Sequence, residues 1–131
     1  MSVQMITAGV VFLAVVIFFM NSGKYSGPVI TAEELKKQMN EKKKMVLVDV
    51  RTPGEYMQGH LEGAVNVPLD SIQTGIGKAV PDKSSYVVTY CMSGRRSRSA
   101  AAVLVKAGYS NLINYSGSVS DWLAKGNQLT K

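Results

Sequence analysis

The feature that most constrains the fold of this chain is an apolar run that ends on its single cysteine. Residues 86–97 read YVVTYCMSGRRS, and the β-branched and aromatic residues before Cys91 predict a buried strand. Residues 97–107 are rich in helix formers and are followed by Gly108, a typical helix C-cap. Cys91 is therefore predicted to follow a strand and precede a helix, at the strand end where open α/β sheets place their reactive groups.

The loop between this strand and this helix is predicted to favour negative charge. Its amides and the N-terminus of the following helix converge on one point. Arg95 and Arg96 lie in the same loop. A thiol in this position is expected to ionise below its usual pKa of about 8.5 and to act as a nucleophile. The alternative interpretation is a buried, inert cysteine, which is a common role for this residue type.

The chain after residue 28 alternates short strands with short helices. Strands are predicted at residues 29–30, 45–50, 64–67, 86–90 and 112–115. Helices are predicted at residues 31–39, 52–59, 69–80, 97–107 and 118–125. This alternation predicts an α/β domain in which parallel strands are covered on both faces by helices.

Two of the predicted helices begin with a capping box. Thr31 with Glu34 and Thr52 with Glu55 have the required spacing, and Pro53 lies at the first position of the second of these helices. The helix predicted at residues 69–80 is weaker, because two glycines at positions 75 and 77 are expected to interrupt it.

Three separated segments resemble the single-domain rhodaneses. The loop CMSGRRS is similar to that family's active-site pattern CxxGxR(S/T), and residues 48–68, VDVRTPGEYMQGHLEGAVNVP, are similar to a second family motif. Residues 117–126, GSVSDWLAKG, resemble the family's closing segment with its Gly, Trp and Gly. The three occur in the right order over residues 29–130, which is far more specific than one cysteine loop. The resemblance implies a rhodanese-like five-stranded parallel sheet flanked by helices.

The resemblance also implies a sulfurtransferase in which Cys91 is the catalytic residue. Sulfane sulfur from thiosulfate or a persulfide donor is expected to pass through a Cys91 persulfide to an external thiol, a protein acceptor or cyanide. No metal and no cofactor are expected. The residues expected to bind the substrate or the persulfide are those of the loop: Met92, Ser93, Gly94, Arg95, Arg96 and Ser97.

Other residues of these motifs are expected to support the fold around the site. Asp49 and Arg51 are predicted to form a hydrogen-bonded pair beneath the loop. His60, the single histidine, is assigned a structural role, since an ionised thiolate needs no base. Trp122 is predicted to be a core anchor. Within the loop, Arg96 is predicted to brace the fold, whereas Arg95 is predicted to attract anionic substrate. Because Met92 lies in the loop, the preference between thiosulfate and a persulfide as sulfur donor stays open.

Two other functions compete with sulfur transfer. A cysteine phosphatase or arsenate reductase of related fold would have the loop CxxxxxR, whereas the spacing from Cys91 to Arg96 is CxxxxR and position 97 is Ser. A smaller loop suits a sulfur atom better than a tetrahedral oxyanion. A membrane-tethered interaction module with a redox-sensing cysteine is the alternative from a different class, although a degenerate loop would then be expected.

The first 23 residues are predicted to form a transmembrane anchor. They contain no charged side chain, and residues 3–20 are almost continuously apolar, close to the roughly 20 residues that span a bilayer. The predicted organisation is an anchor at residues 1–23, a linker at 24–28 and a rhodanese-like domain at 29–131. The alternatives are a signal peptide, although basic residues and a good cleavage site are missing, and an ordinary buried helix.

Charge predicts the orientation of this anchor and the class of partner. All Lys and Arg residues follow the apolar run, which predicts a single-pass protein of the inner or plasma membrane with its domain in the cytoplasm. Cleavage as a signal peptide would instead make the domain periplasmic or secreted. The net charge of +6 favours small anions and anionic lipid. Nucleic-acid binding is not expected, because no basic patch is interleaved with exposed aromatic residues.

Overall fold

Four parallel strands form one sheet in the computed structural model, which describes residues 24–131. The strands are β1 (Val46–Asp49), β2 (Val65–Asn66), β3 (Val87–Tyr90) and β4 (Leu112–Asn114). They lie in the order β2-β1-β3-β4, and every neighbouring pair is parallel. The register places Asp49 beside Tyr90, so the two central strands end at the same edge of the sheet.

Helices cover both faces of this sheet. In chain order they are α1 (Ala32–Asn40), α2 (Pro53–Gln58), α3 (Ile72–Ala79), α4 (Arg95–Lys106) and α5 (Ser118–Ala124), with a short 3-10 turn, Leu69–Ser71, before α3. One apolar cluster joins α3 and α4 to the sheet, and a second joins α1 and α5 to its other side. The predicted α/β domain with parallel strands and helices on both faces is confirmed.

The predicted fifth strand is wrong for the residues that the structure describes. Val29 forms only a single parallel bridge to Asn114 at the β4 edge, with Ile30 N–H donating to Asn114 O and Asn114 N–H donating to Pro28 O. Pro28 has no N–H to continue such a ladder, and Thr31 already caps α1. The pairing segment is therefore too short to become a strand.

The capping predictions differ in outcome. Thr52 and Glu55 form a complete capping box at α2, with Pro53 at its first position. At α1 the Thr31 hydroxyl accepts the Glu34 N–H, but no reciprocal bond from Glu34 is formed, so this capping box is only half present.

The predicted interruption of the third helix is also wrong. Helix α3 is continuous through Gly75 and Gly77, because Ile72 and Ile76 are buried in the core and this burial outweighs the low helix propensity of glycine.

The predicted linker contributes a side chain to the core. Tyr25 is only 7% exposed and belongs to the apolar cluster beneath α3 and α4. Its hydroxyl donates to Pro28 O at 2.6 Å, and its own carbonyl accepts the Arg98 Nε–H at 3.1 Å. The chain is thus attached to the domain at Tyr25, ahead of the boundary predicted at residue 29.

Replacing Tyr25 with alanine is expected to lower the free energy of unfolding by about 3 kcal/mol, because a buried aromatic ring is lost. Tyr25→Phe keeps the ring and loses only the bond to Pro28, so it is expected to cost about 1 kcal/mol. Urea unfolding of the two variants measures both values. Equal stability of Tyr25→Ala and the parent chain would show that this segment does not pack as described.

None of the helices within residues 24–131 is long and apolar enough to cross a bilayer. The anchor predicted at residues 1–23 lies outside the described residues.

Candidate active site

Cys91 directly follows β3, at the edge of the sheet where β1 also ends. The next residues form a short loop that turns into α4 at Arg95, two residues earlier than the sequence predicts. Gly94 is the N-cap of this helix and has φ +102°, a left-handed conformation that favours glycine. The predicted arrangement of strand, loop and helix around Cys91 is confirmed.

Hydrogen-bonding groups surround the Cys91 sulfur. The Gly94 N–H donates to Cys91 Sγ at 3.0 Å. Ser97 Oγ lies 3.5 Å from Sγ, and Ser118 Oγ lies 3.8 Å from it. The Ser97 hydroxyl donates to Gly94 O at 3.1 Å, so the loop and the first turn of α4 are tied together around the sulfur.

These contacts lower the pKa of the Cys91 thiol. Burial raises the pKa of Cys91, but the hydrogen bonds with Ser97, Gly94 and Ser118 outweigh this effect and bring the pKa below its ordinary value. The N-terminus of α4 is directed at the same sulfur and favours the thiolate as well. The site therefore has the local chemistry of a nucleophilic cysteine.

Access to the sulfur is narrow. Cys91 is only 1% exposed, and its neighbours in the loop cover it, with Met92 half-buried against the core and Ser93 exposed. A cavity of about 420 Å³ lies beside the loop, between Ser93 and the segment that begins at Tyr25. The Cys91 side chain therefore has almost no solvent-exposed surface.

The two loop arginines have different surroundings. Arg95 is exposed at the first position of α4 and borders this cavity. Arg96 forms a bidentate ion pair with Glu55 of α2, with Nη1 donating to Oε1 at 2.6 Å and Nη2 donating to Oε2 at 2.9 Å. The pair connects the first turn of α4 to the first turn of α2. Arg96 therefore braces α4 against α2, whereas Arg95 is an exposed cation beside the cavity.

The Arg96–Glu55 pair predicts a pH effect. The hydrogen bond from Arg96 lowers the pKa of Glu55 from 4.5 to about 2. Since the folded-state pKa is depressed, the pair stabilises the fold above pH 4.5, and this contribution is lost as the pH falls towards 2. Glu55→Gln keeps the cap but loses the charge. We expect it to cost about 1 kcal/mol at neutral pH, because solvent screens a partly exposed pair.

Thermal unfolding of Glu55→Gln and the parent chain between pH 7 and 2 measures this difference. Glu62→Gln, the same change at an exposed carboxylate, is the control. A difference between Glu55→Gln and the parent chain that stays constant down to pH 2 would contradict the ion pair.

Asp49 and Arg51 form the predicted hydrogen-bonded pair. Both are buried, and Arg51 Nη2 donates to Asp49 Oδ2 at 2.7 Å and to Gly59 O at 2.6 Å. Asn66 Nδ2 donates to the carbonyl oxygens of both residues of the pair. This network ties the end of β1 to the end of α2 and to β2, which supports the loop from below.

His60 and Trp122 lie in structural environments. The His60 ring stacks on Tyr56 with ring centroids 3.8 Å apart, and its Nδ1 lies 2.9 Å from Tyr56 O. Trp122 lies on the buried face of α5, and its indole N–H donates to Gln128 O at 3.0 Å. Neither has a hydrogen bond to Cys91.

Sequence reasoning missed two residues of the site. Glu55 was assigned only to a helix cap, and its partner Arg96 is distant in sequence, so no local pattern indicates the pair. Ser118 was assigned only to the start of a helix, yet its hydroxyl accepts the Cys91 N–H at 3.0 Å. Its position next to Gly117 in the closing motif is the one signal that was available.

Comparison with known families identifies the fold. The family model described as the rhodanese-like domain matches residues 31–125, which is most of the length of this chain. This chain belongs to the rhodanese family. The family predicted from the three sequence motifs is therefore confirmed.

Two relatives of this rhodanese are named as thiosulfate sulfurtransferases. It is 43% identical over 70 residues to the thiosulfate sulfurtransferase PspE of Escherichia coli, covering 53% of this chain and 67% of that protein. It is 38% identical over 102 residues to a putative mitochondrial thiosulfate sulfurtransferase of Schizosaccharomyces pombe, covering 70% and 72%. The structure of a human single-domain sulfurtransferase superposes with a TM-score of 0.68 at 25% identity, covering 76% and 98%. The prediction of a sulfurtransferase enzyme is confirmed.

Proposed function

We propose that this rhodanese transfers sulfane sulfur through a persulfide on Cys91. The observation that carries the proposal is the Gly94 N–H, which lies 3.0 Å from Cys91 Sγ at the N-terminus of α4. A donor and a helix terminus directed at one sulfur both stabilise a thiolate. This is the same loop whose sequence matches the family's active-site pattern.

The reaction has two displacement steps. The Cys91 thiolate attacks the outer sulfur of thiosulfate, so that a new S–S bond forms while the S–S bond of thiosulfate breaks and its electron pair leaves on sulfite. An acceptor thiolate then attacks the outer sulfur of the persulfide. The Cys91 S–S bond breaks, Cys91 leaves as a thiolate, and the acceptor keeps the sulfur. Cyanide as acceptor yields thiocyanate.

The positive charge of Arg95 and a related solved structure both support an anionic sulfur donor. Arg95 is exposed beside the loop cavity and is available to an anion. A rhodanese from E. coli whose structure was solved with anions is 39% identical, with a TM-score of 0.55 over 59% of this chain. We therefore propose thiosulfate or an anionic persulfide as donor. A low-molecular-weight thiol or a protein thiol is the proposed acceptor.

Burial of the thiol favours one competing function. Because Cys91 is only 1% exposed, a rhodanese-fold interaction module is the alternative that burial favours, whereas a redox-sensing cysteine is expected to be solvent-accessible. The phosphatase or arsenate reductase alternative is weaker, because Arg96 is paired with Glu55 and does not complete a ring around an oxyanion.

The test is the intact mass of the purified protein after incubation with thiosulfate. Sulfur transfer predicts an adduct of one sulfur atom on Cys91, and cyanide removes this adduct as thiocyanate. Phosphatase turnover without an adduct would favour the second alternative. A protein that neither forms the adduct nor turns over phosphate esters would favour the interaction module.

We further propose that residues 1–23 anchor this domain to the inner or plasma membrane with the domain in the cytoplasm. Their uncharged, apolar composition and the lysines that follow support the proposal. Tyr25 packs into the core directly after this segment, which would hold the domain close to the bilayer. Full-length protein is expected in the membrane fraction after an alkaline wash. The domain is expected to resist protease added to intact spheroplasts, and recovery in the soluble fraction would contradict the anchor.

A further inference from the structure

Ser118 has an unusual backbone for a buried side chain. Among residues 24–131, two residues other than glycine have a positive φ. One is Lys42, which is exposed in the turn after α1, and the other is Ser118, which has φ +60° and is 0% exposed at the start of α5. Glycine would adopt this conformation without steric cost. The hydrogen bonds of the Ser118 hydroxyl offset this steric cost.

The Ser118 hydroxyl lies between the backbone and the sulfur of Cys91. Its oxygen accepts the Cys91 N–H at 3.0 Å. The hydroxyl donates to Tyr115 O at 3.0 Å and lies 3.8 Å from Cys91 Sγ. A hydroxyl has a single proton, so donation to Tyr115 O and donation to the sulfur exclude one another. Rotation about the Cβ–Oγ bond is enough to exchange the two.

We infer that Ser118 is a positioning residue for sulfur transfer, whose hydroxyl fixes the Cys91 backbone and turns its proton from Tyr115 O to Cys91 Sγ when that sulfur becomes an anion. The inference rests on the proposed role of Cys91. In the neutral thiol, Cys91 S–H donates to Ser97 Oγ, and Ser118 remains bonded to Tyr115 O. No bond is made or broken when the hydroxyl rotates.

The step that gains most is the delivery of sulfur to the acceptor. In the persulfide the negative charge lies on the outer sulfur, whereas Cys91 Sγ becomes an anion as the acceptor takes that sulfur away. A donor to Sγ stabilises this leaving group. The Ser118 hydrogen bond is also one of the contacts that lower the pKa of Cys91. The positive charge of Arg96 has a favourable coulombic interaction with the ionised thiol.

Two variants separate this role from a structural one. Ser118→Gly and Ser118→Ala both lose the hydroxyl, but only glycine removes the backbone strain. We expect the midpoint of the pH dependence of Cys91 alkylation by iodoacetamide to rise by about half a unit to one unit in both. Cys91 is the single cysteine, so the alkylation signal comes from this residue alone.

The melting temperature of Ser118→Ala is expected to be lower than that of Ser118→Gly by about 4–8 °C, because alanine keeps the backbone strain that glycine removes.

Sulfur delivery is measured by loading the full chain with thiosulfate and following the transfer of the adduct to an added thiol. We expect the rate to fall roughly 3–10-fold in both variants. Ser120→Ala, the same change at an exposed position of α5, is the control and is expected to match the parent chain.

An unchanged alkylation midpoint and delivery rate in both variants would overturn the inference and leave Ser118 a structural residue. A parent chain that never acquires the adduct would instead overturn the proposed function. The two failures are therefore distinguishable.

Discussion

Replacing Cys91 with serine is expected to abolish sulfur transfer and leave the fold intact. The two side chains are nearly isosteric, and a serine hydroxyl can accept the Gly94 N–H that now donates to Sγ. The hydroxyl does not ionise at neutral pH, and it forms no persulfide. Thiocyanate production from thiosulfate and cyanide is expected to fall to background, and no adduct of one sulfur atom is expected in the intact mass.

The stability of this variant is the control. Cys91→Ser is expected to unfold within about 1 kcal/mol of the parent chain. Cys91→Ala leaves the Gly94 N–H without its acceptor and is expected to be less stable than Cys91→Ser by about 1 kcal/mol. If Cys91→Ser retained sulfur transfer, the assignment of the nucleophile would be wrong.

Replacing Gly94 with alanine is expected to damage both stability and activity. Gly94 has φ +102°, which costs an alanine about 1–3 kcal/mol. A Cβ at this position would also overlap the carbonyl oxygen of Ser116, a backbone atom that cannot rotate away. The loop must shift, and the Gly94 N–H is then no longer directed at Cys91 Sγ. Loss of a donor of this kind costs roughly 100-fold in turnover.

Gly77→Ala is the matched control for this change. Gly77 lies within α3, it has an ordinary helical backbone, and a Cβ added there meets no atom within 4 Å. The variant is expected to keep full activity and to gain up to about 1 kcal/mol of stability. Urea unfolding and steady-state sulfur transfer measure both variants. Parental activity in Gly94→Ala would show that the Gly94 amide is not needed by the sulfur.

Local sequence patterns were sufficient to predict the position of Cys91. A buried strand is recognisable from its β-branched residues, and the following helix from its helix formers and the glycine after it. Parallel strands end at the same edge of a sheet, so the prediction also placed Asp49 and Arg51 near the loop. These inferences involve residues close together in sequence, whose backbone conformations depend mainly on one another.

Contacts between distant segments were not predictable in the same way. Arg96 and Glu55 are 41 positions apart, and Ser118 and Cys91 are 27 positions apart. Tyr25 and Arg98 are 73 positions apart. Each contact depends on how the helices pack on the sheet, which sets the distance and direction of the side chains. No short stretch of sequence contains that information.

The position of Cys91 after a buried strand and the parallel sheet were thus predictable from periodicity and capping, and the rhodanese family from the resemblance of three motifs in the right order. The number of strands, the brace between α2 and α4 and the second hydroxyl beside the sulfur depend on packing. The missing N–H of Pro28 and the capping role of Thr31 end the edge pairing before a fifth strand can form. The backbone of Ser118, which glycine would suit better, is held by the Cys91 and Tyr115 groups that surround it.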